Sequence, residues 1–224
     1  MAFSYVGNFP NQQFKNSGVY SLDDLNNLES VGELGGSLEL IESQTITNST
    51  GDFTNIHENE YKIHFATYHN MTMASPSGNQ IPFYRLSNDG GSSYESSNYN
   101  SGGVYGTSGN NSGVVTQRTT YGHVGLNNQG NHSWHGYVYF YMLGDSTKYS
   151  YSTFLYGGNY STNSTHARVL GGSSYEVKET INAIRFGIDS GTTLSGTISL
   201  YGVKHIWVRI DIWNKYLYLV LQAV

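Results

Sequence analysis

Residues 181–204 read INAIRFGIDSGTTLSGTISLYGVK, and this stretch decides the fold. Ile184, Phe186 and Ile188 alternate with Ala183, Arg185 and Gly187. Beyond the turn Asp189-Ser190-Gly191-Thr192, Ile198 and Leu200 alternate with Thr197, Ser199 and Tyr201. Successive side chains of a strand point to opposite faces, so each half reads as a strand with one buried face. Two such strands around a Ser-Gly turn predict a β-hairpin.

Composition carries the same reading outward. Charged residues make up only 12% of the 224 residues, against about 25% in ordinary soluble domains. The polar surface is therefore built from Ser, Thr, Asn, Gly and Tyr, residues that suit pleated surfaces and turns better than helices. Residues 61–67 alternate, which places Lys62 and His64 on the wet face. Pro82 lacks an amide hydrogen, so residues 81–86 read as an edge strand or a strand start. Residues 88–113 form the longest polar stretch and read mainly as loop, with at most a short strand near Tyr94. Strand character returns over residues 114–121, 134–142, 148–156 and 167–170, with a turn-rich stretch at 157–165. Short strands separated by Gly, Asn and Ser predict an all-β, jelly-roll-like β-sandwich over residues 37–204.

Two flanking segments stand apart. Residues 1–36 read as an extended arm with a short helix opening at Ser21, suited to attachment or oligomerisation: Leu22, Leu25 and Leu28 form an apolar stripe and Asp23 and Asp24 sit in the favourable first turn. Residues 205–224 read as a β-hairpin-like extension, with Ile206, Val208, Ile210 and Ile212 alternating with Trp207, Arg209, Asp211 and Trp213. The first residues lack a cationic start followed by an apolar run, so no secretory signal is expected, and no stretch is long and apolar enough for a membrane span.

The net charge of −5 and the scattering of the eleven Lys and Arg argue against nucleic-acid binding. The chain has no cysteine, which excludes thiolate chemistry. His132 and His135 have ligand-like spacing, but residues three apart on a strand face opposite sides, so no metal site or other cofactor is expected. Gly106-Thr107-Ser108-Gly109 imitates a nucleophile elbow without the helix that must follow one. Asp89, Asp145 and Asp189 fit turn roles, and no carboxylate pair is marked for glycosidase work, so the expectation is a chain that is not an enzyme. Twenty tyrosines against nine phenylalanines remain to be explained. Tyr supplies rigid contact area and Ser, Gly and Asn supply adaptable hydrogen bonding, the mixture of binding loops. Asn88, Asp89, Tyr94, Tyr99, Tyr105, Asn110 and Asn111 are therefore candidate binding residues, for sugars or a protein partner. Tyr137, Tyr139 and Tyr141 read as strand-face residues.

The ending of the 181–204 stretch resembles that of a large group of marine bacteriophage structural proteins, in which I-x-x-I-x-F, a Ser-Gly turn and G-T-I-S-L-Y-G-I-K close the β-sandwich of a virion or tail-fibre module. Residues 85–94, RLSNDGGSSY, are similar to that group's central loop, and residues 38–45, LELIESQT, to its opening strand. The resemblance covers residues 36–204. It implies a virion protein without catalysis: a tail-fibre or appendage module touching the host surface, or else a capsid (head) decoration protein. It also implies other virion proteins and a host surface glycan or protein as partners, and a homotrimer by analogy with phage fibres. A reading from another class is a lectin-like carbohydrate-binding module.

Overall fold

The computed structural model describes residues 38–73, 81–108, 112–125, 133–160, 165–188 and 193–204. The expected arm and helix of residues 1–36 and the extension of residues 205–224 lie outside these described residues. Among the described residues twelve strands follow one another: β1 (Leu38–Ile46), β2 (Thr50–Phe53), β3 (Ile63–Met73), β4 (Pro82–Ser87), β5 (Tyr99–Thr107), β6 (Ser112–Thr119), β7 (Gly122–His123), β8 (Trp134–Tyr141), β9 (Ser150–Tyr160), β10 (Thr165–Tyr175), β11 (Ala183–Ile188) and β12 (Leu194–Val203). They form two antiparallel sheets, eight strands in the order β1-β12-β3-β8-β9-β10-β5-β6 and four in the order β2-β11-β4-β7.

Setting aside the hairpins β5–β6 and β9–β10, the chain steps from one sheet to the other at every strand except between β4 and β7, which pair within the smaller sheet. The eight remaining strands make the sheets β1-β12-β3-β8 and β2-β11-β4-β7. That winding is the jelly roll. The two hairpins are additions, both laid beyond β8, and they widen one sheet from four strands to eight.

The strands of the 181–204 stretch behave as their alternation predicts, but not as a hairpin. Ile184, Phe186, Ile198 and Leu200 are buried at 0%, 2%, 1% and 0% exposure. Yet β11 pairs with β2 and β4, whereas β12 pairs with β1 and β3. Both hydrogen-bonding edges of each strand are already taken, so the two cannot pair with each other. They are central strands of opposite sheets.

The core between the sheets is aromatic. Tyr84 meets Phe140 edge-on at 4.9 Å, Phe140 meets Phe186 at 6.1 Å, and Phe186 meets Phe53 at 5.9 Å. Edge-to-face pairs of this kind add about 0.5–1.5 kcal/mol each beyond the area that they bury. Tyr99 joins the widened part of the large sheet to the small one: its hydroxyl accepts the Leu86 amide at 2.9 Å.

Three local expectations are corrected. His64 is fully buried and Ile63 and Phe65 face outward, the reverse of the expected orientation. The Nε2–H of His64 donates to the Ile56 carbonyl at 2.8 Å, which offsets part of the cost of burying the ring. Within the 88–113 stretch expected as loop, residues 99–107 form β5, which pairs with β6, and β6 begins at Ser112. β9 runs on through Gly157 and Gly158 to Tyr160, where turns were expected. Pro82 meets the second of its two expected placements: it starts β4, which lies inside its sheet between β11 and β7.

Candidate interaction face

The residues that line the loop expectation do not form one surface. Asp89 is held within its own loop, and Asn88 ties that loop to the segment between β10 and β11. The Asn88 amide donates to Glu179 at 2.8 Å, and Asp89 accepts from the Ser87 hydroxyl at 2.7 Å and from the Ser93 amide and hydroxyl at 2.9 and 2.7 Å. Those bonds, led by the Ser93 hydroxyl, pull the Asp89 carboxyl down to about 2. Tyr94 is half-buried, its ring 3.9 Å from the Arg185 guanidinium carbon. Tyr99 is a core residue, 1% exposed, and Tyr105 packs partly against the core. Asn110 and Asn111 lie outside the described residues. Of the two spaced histidines, His132 also lies outside them, and exposed His135 accepts the Asn70 amide at Nδ1, at 3.1 Å. Among the described residues, no three His, Cys, Asp or Glu are grouped to hold a metal ion, and no helix is long and apolar enough to cross a membrane.

A different surface gathers the unspent aromatic and aliphatic side chains: the outer face of the eight-stranded sheet. Register brings it together. Tyr137 of β8 lies opposite Thr67 of β3 and Leu155 of β9; Leu155 lies opposite Leu170 of β10, Leu170 opposite Val104 of β5, and Val104 opposite Val114 of β6. On the other side Thr67 pairs with Ser199 and Ser199 with Ser43. One row thus crosses all eight strands without a charge.

The next row along the strands holds the ring cluster. Phe65 packs against Tyr139 at 4.5 Å, Tyr137 at 5.7 Å and Tyr201 at 6.1 Å, and Tyr139 stacks on Tyr141 at 6.4 Å. Leu40 pairs with Tyr201 and extends the cluster to the sheet edge. Its inner-facing neighbours, Ala66, Val138, Phe140 and Leu200, fill the core. These strands are therefore apolar on both faces.

That face is open. Val114 is 70% exposed, Leu170 59%, Val104 57%, Leu40 56% and Tyr151 49%. Scattered exposed apolar side chains need no explanation, but contiguous ones mark contact surfaces. Charge enters towards the two ends of the face, at Arg168, His69 and His135 at one end and, by register, at the Arg118 position opposite Asn100 at the other. The signal for this face was present in sequence, since Tyr137-Val138-Tyr139-Phe140-Tyr141 is apolar at every position. A strand with no polar face has both faces destined for cover. Such an arrangement offers stacking and dispersion over a broad surface, with the exposed hydroxyls of Tyr141 and Thr153, 3.1 Å apart, beside it. Compared with known proteins, the sequence matches no family model and no curated protein.

Proposed function

We propose that this chain is a non-enzymatic structural protein of a bacteriophage virion, an appendage module of the tail-fibre kind that meets the host surface. Head decoration is the alternative location. The reading is supported by one observation above others: the three segments that carry the phage resemblance meet in the fold. The opening segment pairs with the closing one along β1 and β12, from Leu38 opposite Val203 to Ile46 opposite Gly196. The central segment enters through β4, where Arg85 lies opposite Arg185 of β11, and returns to place the Tyr94 ring against Arg185. A motif set that builds one contiguous unit is better support than three matches scattered over a surface.

The jelly-roll winding suits viral capsid and lectin domains alike. The absence of catalysis in this reading is supported by how acidic groups are spent: Asp52 on Arg185, Asp145 on Lys148 and Thr147, Asp89 on its own loop. Partners are other virion proteins and a host surface glycan or protein, and the working form is a homo-oligomer, a trimer on the analogy of phage fibres. Antibody against the chain, imaged on purified particles of the phage that encodes it, tests the assignment. Label on tail appendages is expected. A regular label over the head lattice moves the chain to decoration, and unlabelled particles overturn the virion reading.

The lectin-like reading draws on Phe65, Tyr137 and Tyr139 with hydroxyls close by, a surface on which sugar rings can stack. A glycan array that stays blank removes it.

A further inference from the structure

We propose that the outer face of the eight-stranded sheet is a self-association surface, covered by further copies of this chain. From the preceding reading it takes only the expectation of a homo-oligomer. Its test needs no virion, so the two ideas fail separately.

Area is the first argument. Eight strands at about 4.8 Å spacing make a face roughly 34 Å wide. Four residue rows along the strands, from the row of Leu38 to that of Thr45, add about 20 Å. The product, on the order of 700 Å², is close to the ~800 Å² per partner of a standard protein interface. Left open on a monomer, a face whose two middle rows are apolar and uncharged from edge to edge would be unusual.

Charge is the second. The chain carries a net −5, so two copies repel each other unless they meet where no acid lies. The row of Tyr137, Leu155 and Leu170 and the cluster around Phe65 and Tyr139 meet that condition. Placing these two central rows against those of another copy brings no like charges together and buries no unpaired ion, and leaves the Arg168 and Arg118 positions at the rim.

Chemistry is the third, and it decides against a sugar as the main occupant. Val104, Val114 and Leu170 occupy the half of the face added by the two hairpins, and they offer no hydrogen-bonding side chain. A sugar docked there would lose water without replacement partners, whereas aliphatic side chains of another copy lose nothing. Sheets stacked face to face about 10 Å apart already form the interior of this protein, and the same packing serves between copies.

The test weighs the full-length chain at about 10 µM by light scattering after size exclusion, alongside the variants Leu170→Glu and Val104→Lys. Both substituted positions are more than half exposed, so the fold should tolerate them; thermal melts check this. The wild type is expected at a multiple of 24.8 kDa, and each variant at 24.8 kDa with association weakened at least tenfold. A monomeric wild type, or variants that keep the wild-type mass, overturns the proposal. A monomer whose Tyr139 resists nitration by tetranitromethane overturns it in favour of cover by residues 205–224. A monomer that binds host polysaccharide through Tyr139 overturns it in favour of a glycan. Should neither variant fold, nitration of the wild type decides: protection of Tyr139 that rises with protein concentration supports the proposal, and constant reactivity overturns it.

Discussion

Arg185 of β11 grips Asp52 of β2 with both arms of its guanidinium, Nε to Oδ1 at 2.7 Å and Nη2 to Oδ2 at 2.6 Å, while the Tyr94 ring covers it at 3.9 Å. The pair ties an edge strand to a central one, and Tyr94 fastens the 88–98 loop over both. Both partners are about one-third exposed, so solvent screens the attraction and its worth is modest despite the fork. Arg185→Lys keeps the charge but loses the second bond and the planar stack. We expect it to cost about 1 kcal/mol, a fall of about 2–4 °C in melting temperature for a chain of this size. An unchanged melt would show that the fork contributes nothing.

His64 predicts a response to acid. Burial disfavours its charged form and holds its pKa below the ordinary imidazole value, although the hydrogen bond to Ile56 opposes the shift. The unfolded chain therefore takes up the proton more readily than the folded one. Stability is intact above about 6.5, declines as pH falls through that value, and levels off only below the folded-state pKa. Melting temperatures from pH 7.5 down to 5 should fall in the wild type. His64→Phe should start lower, because the Ile56 carbonyl loses its partner, and then fall less steeply. Parallel slopes would remove His64 from the explanation.

Why His64 points inward was not legible in the sequence. In Ile63-His64-Phe65-Ala66-Thr67-Tyr68 both alternating sets contain an aromatic ring, so hydropathy alone cannot choose a core face. The strands with one apolar face, β11 and β12, could be read, and they decided the fold class. Their partners could not, because a short connection serves a hairpin and a change of sheet equally well. The glycines misled in another way. At Gly157-Gly158 and Gly102-Gly103 they suggested turns, but these strands run straight through. Gly158 leaves room for Trp134, and Gly103 for the backbone of Gly171 on β10. The candidate face escaped for a third reason: its residues come from eight strands, and only pairing register assembles them.

Tyr68 should prove sensitive out of proportion to the single atom removed. Its buried hydroxyl lies 2.8 Å from the Val124 carbonyl and 2.9 Å from that of Leu155, and it can donate to one of them at a time. It thereby links β3 to β9 and to the segment following β7. Tyr68→Phe removes the one proton that the two carbonyls share and should cost about 1–2 kcal/mol. The ring itself lies over Gly136, where an added methyl would overlap Tyr68 and the Leu155 carbonyl oxygen. Gly136→Ala must therefore move backbone, and about 3 kcal/mol or more is expected. Urea unfolding of the two variants checks the order; a Gly136→Ala midpoint above that of Tyr68→Phe would contradict this packing.

Asp89 sets the acid limit of the 88–98 loop. Its carboxylate takes three hydrogen bonds from Ser87 and Ser93, and only the charged form accepts them all. Its pKa of about 2 in the folded chain lies below the usual 3.8, so its contribution is complete above the usual value and is lost as pH falls towards 2. Because the group is exposed, the consequence is local. Hydrogen exchange at the Ser93 amide, which donates to Asp89, should accelerate in Asp89→Asn at neutral pH. The Glu95 amide, which donates to the Leu86 carbonyl at 2.8 Å, should accelerate less, since that bond does not depend on the carboxylate. Equal acceleration at both amides would mean that the loop opens as one body and that Asp89 is one latch among several. An unchanged rate at Ser93 would mean that the loop is held by Asn88 on Glu179 and by the Gly90 amide on Asn182 instead.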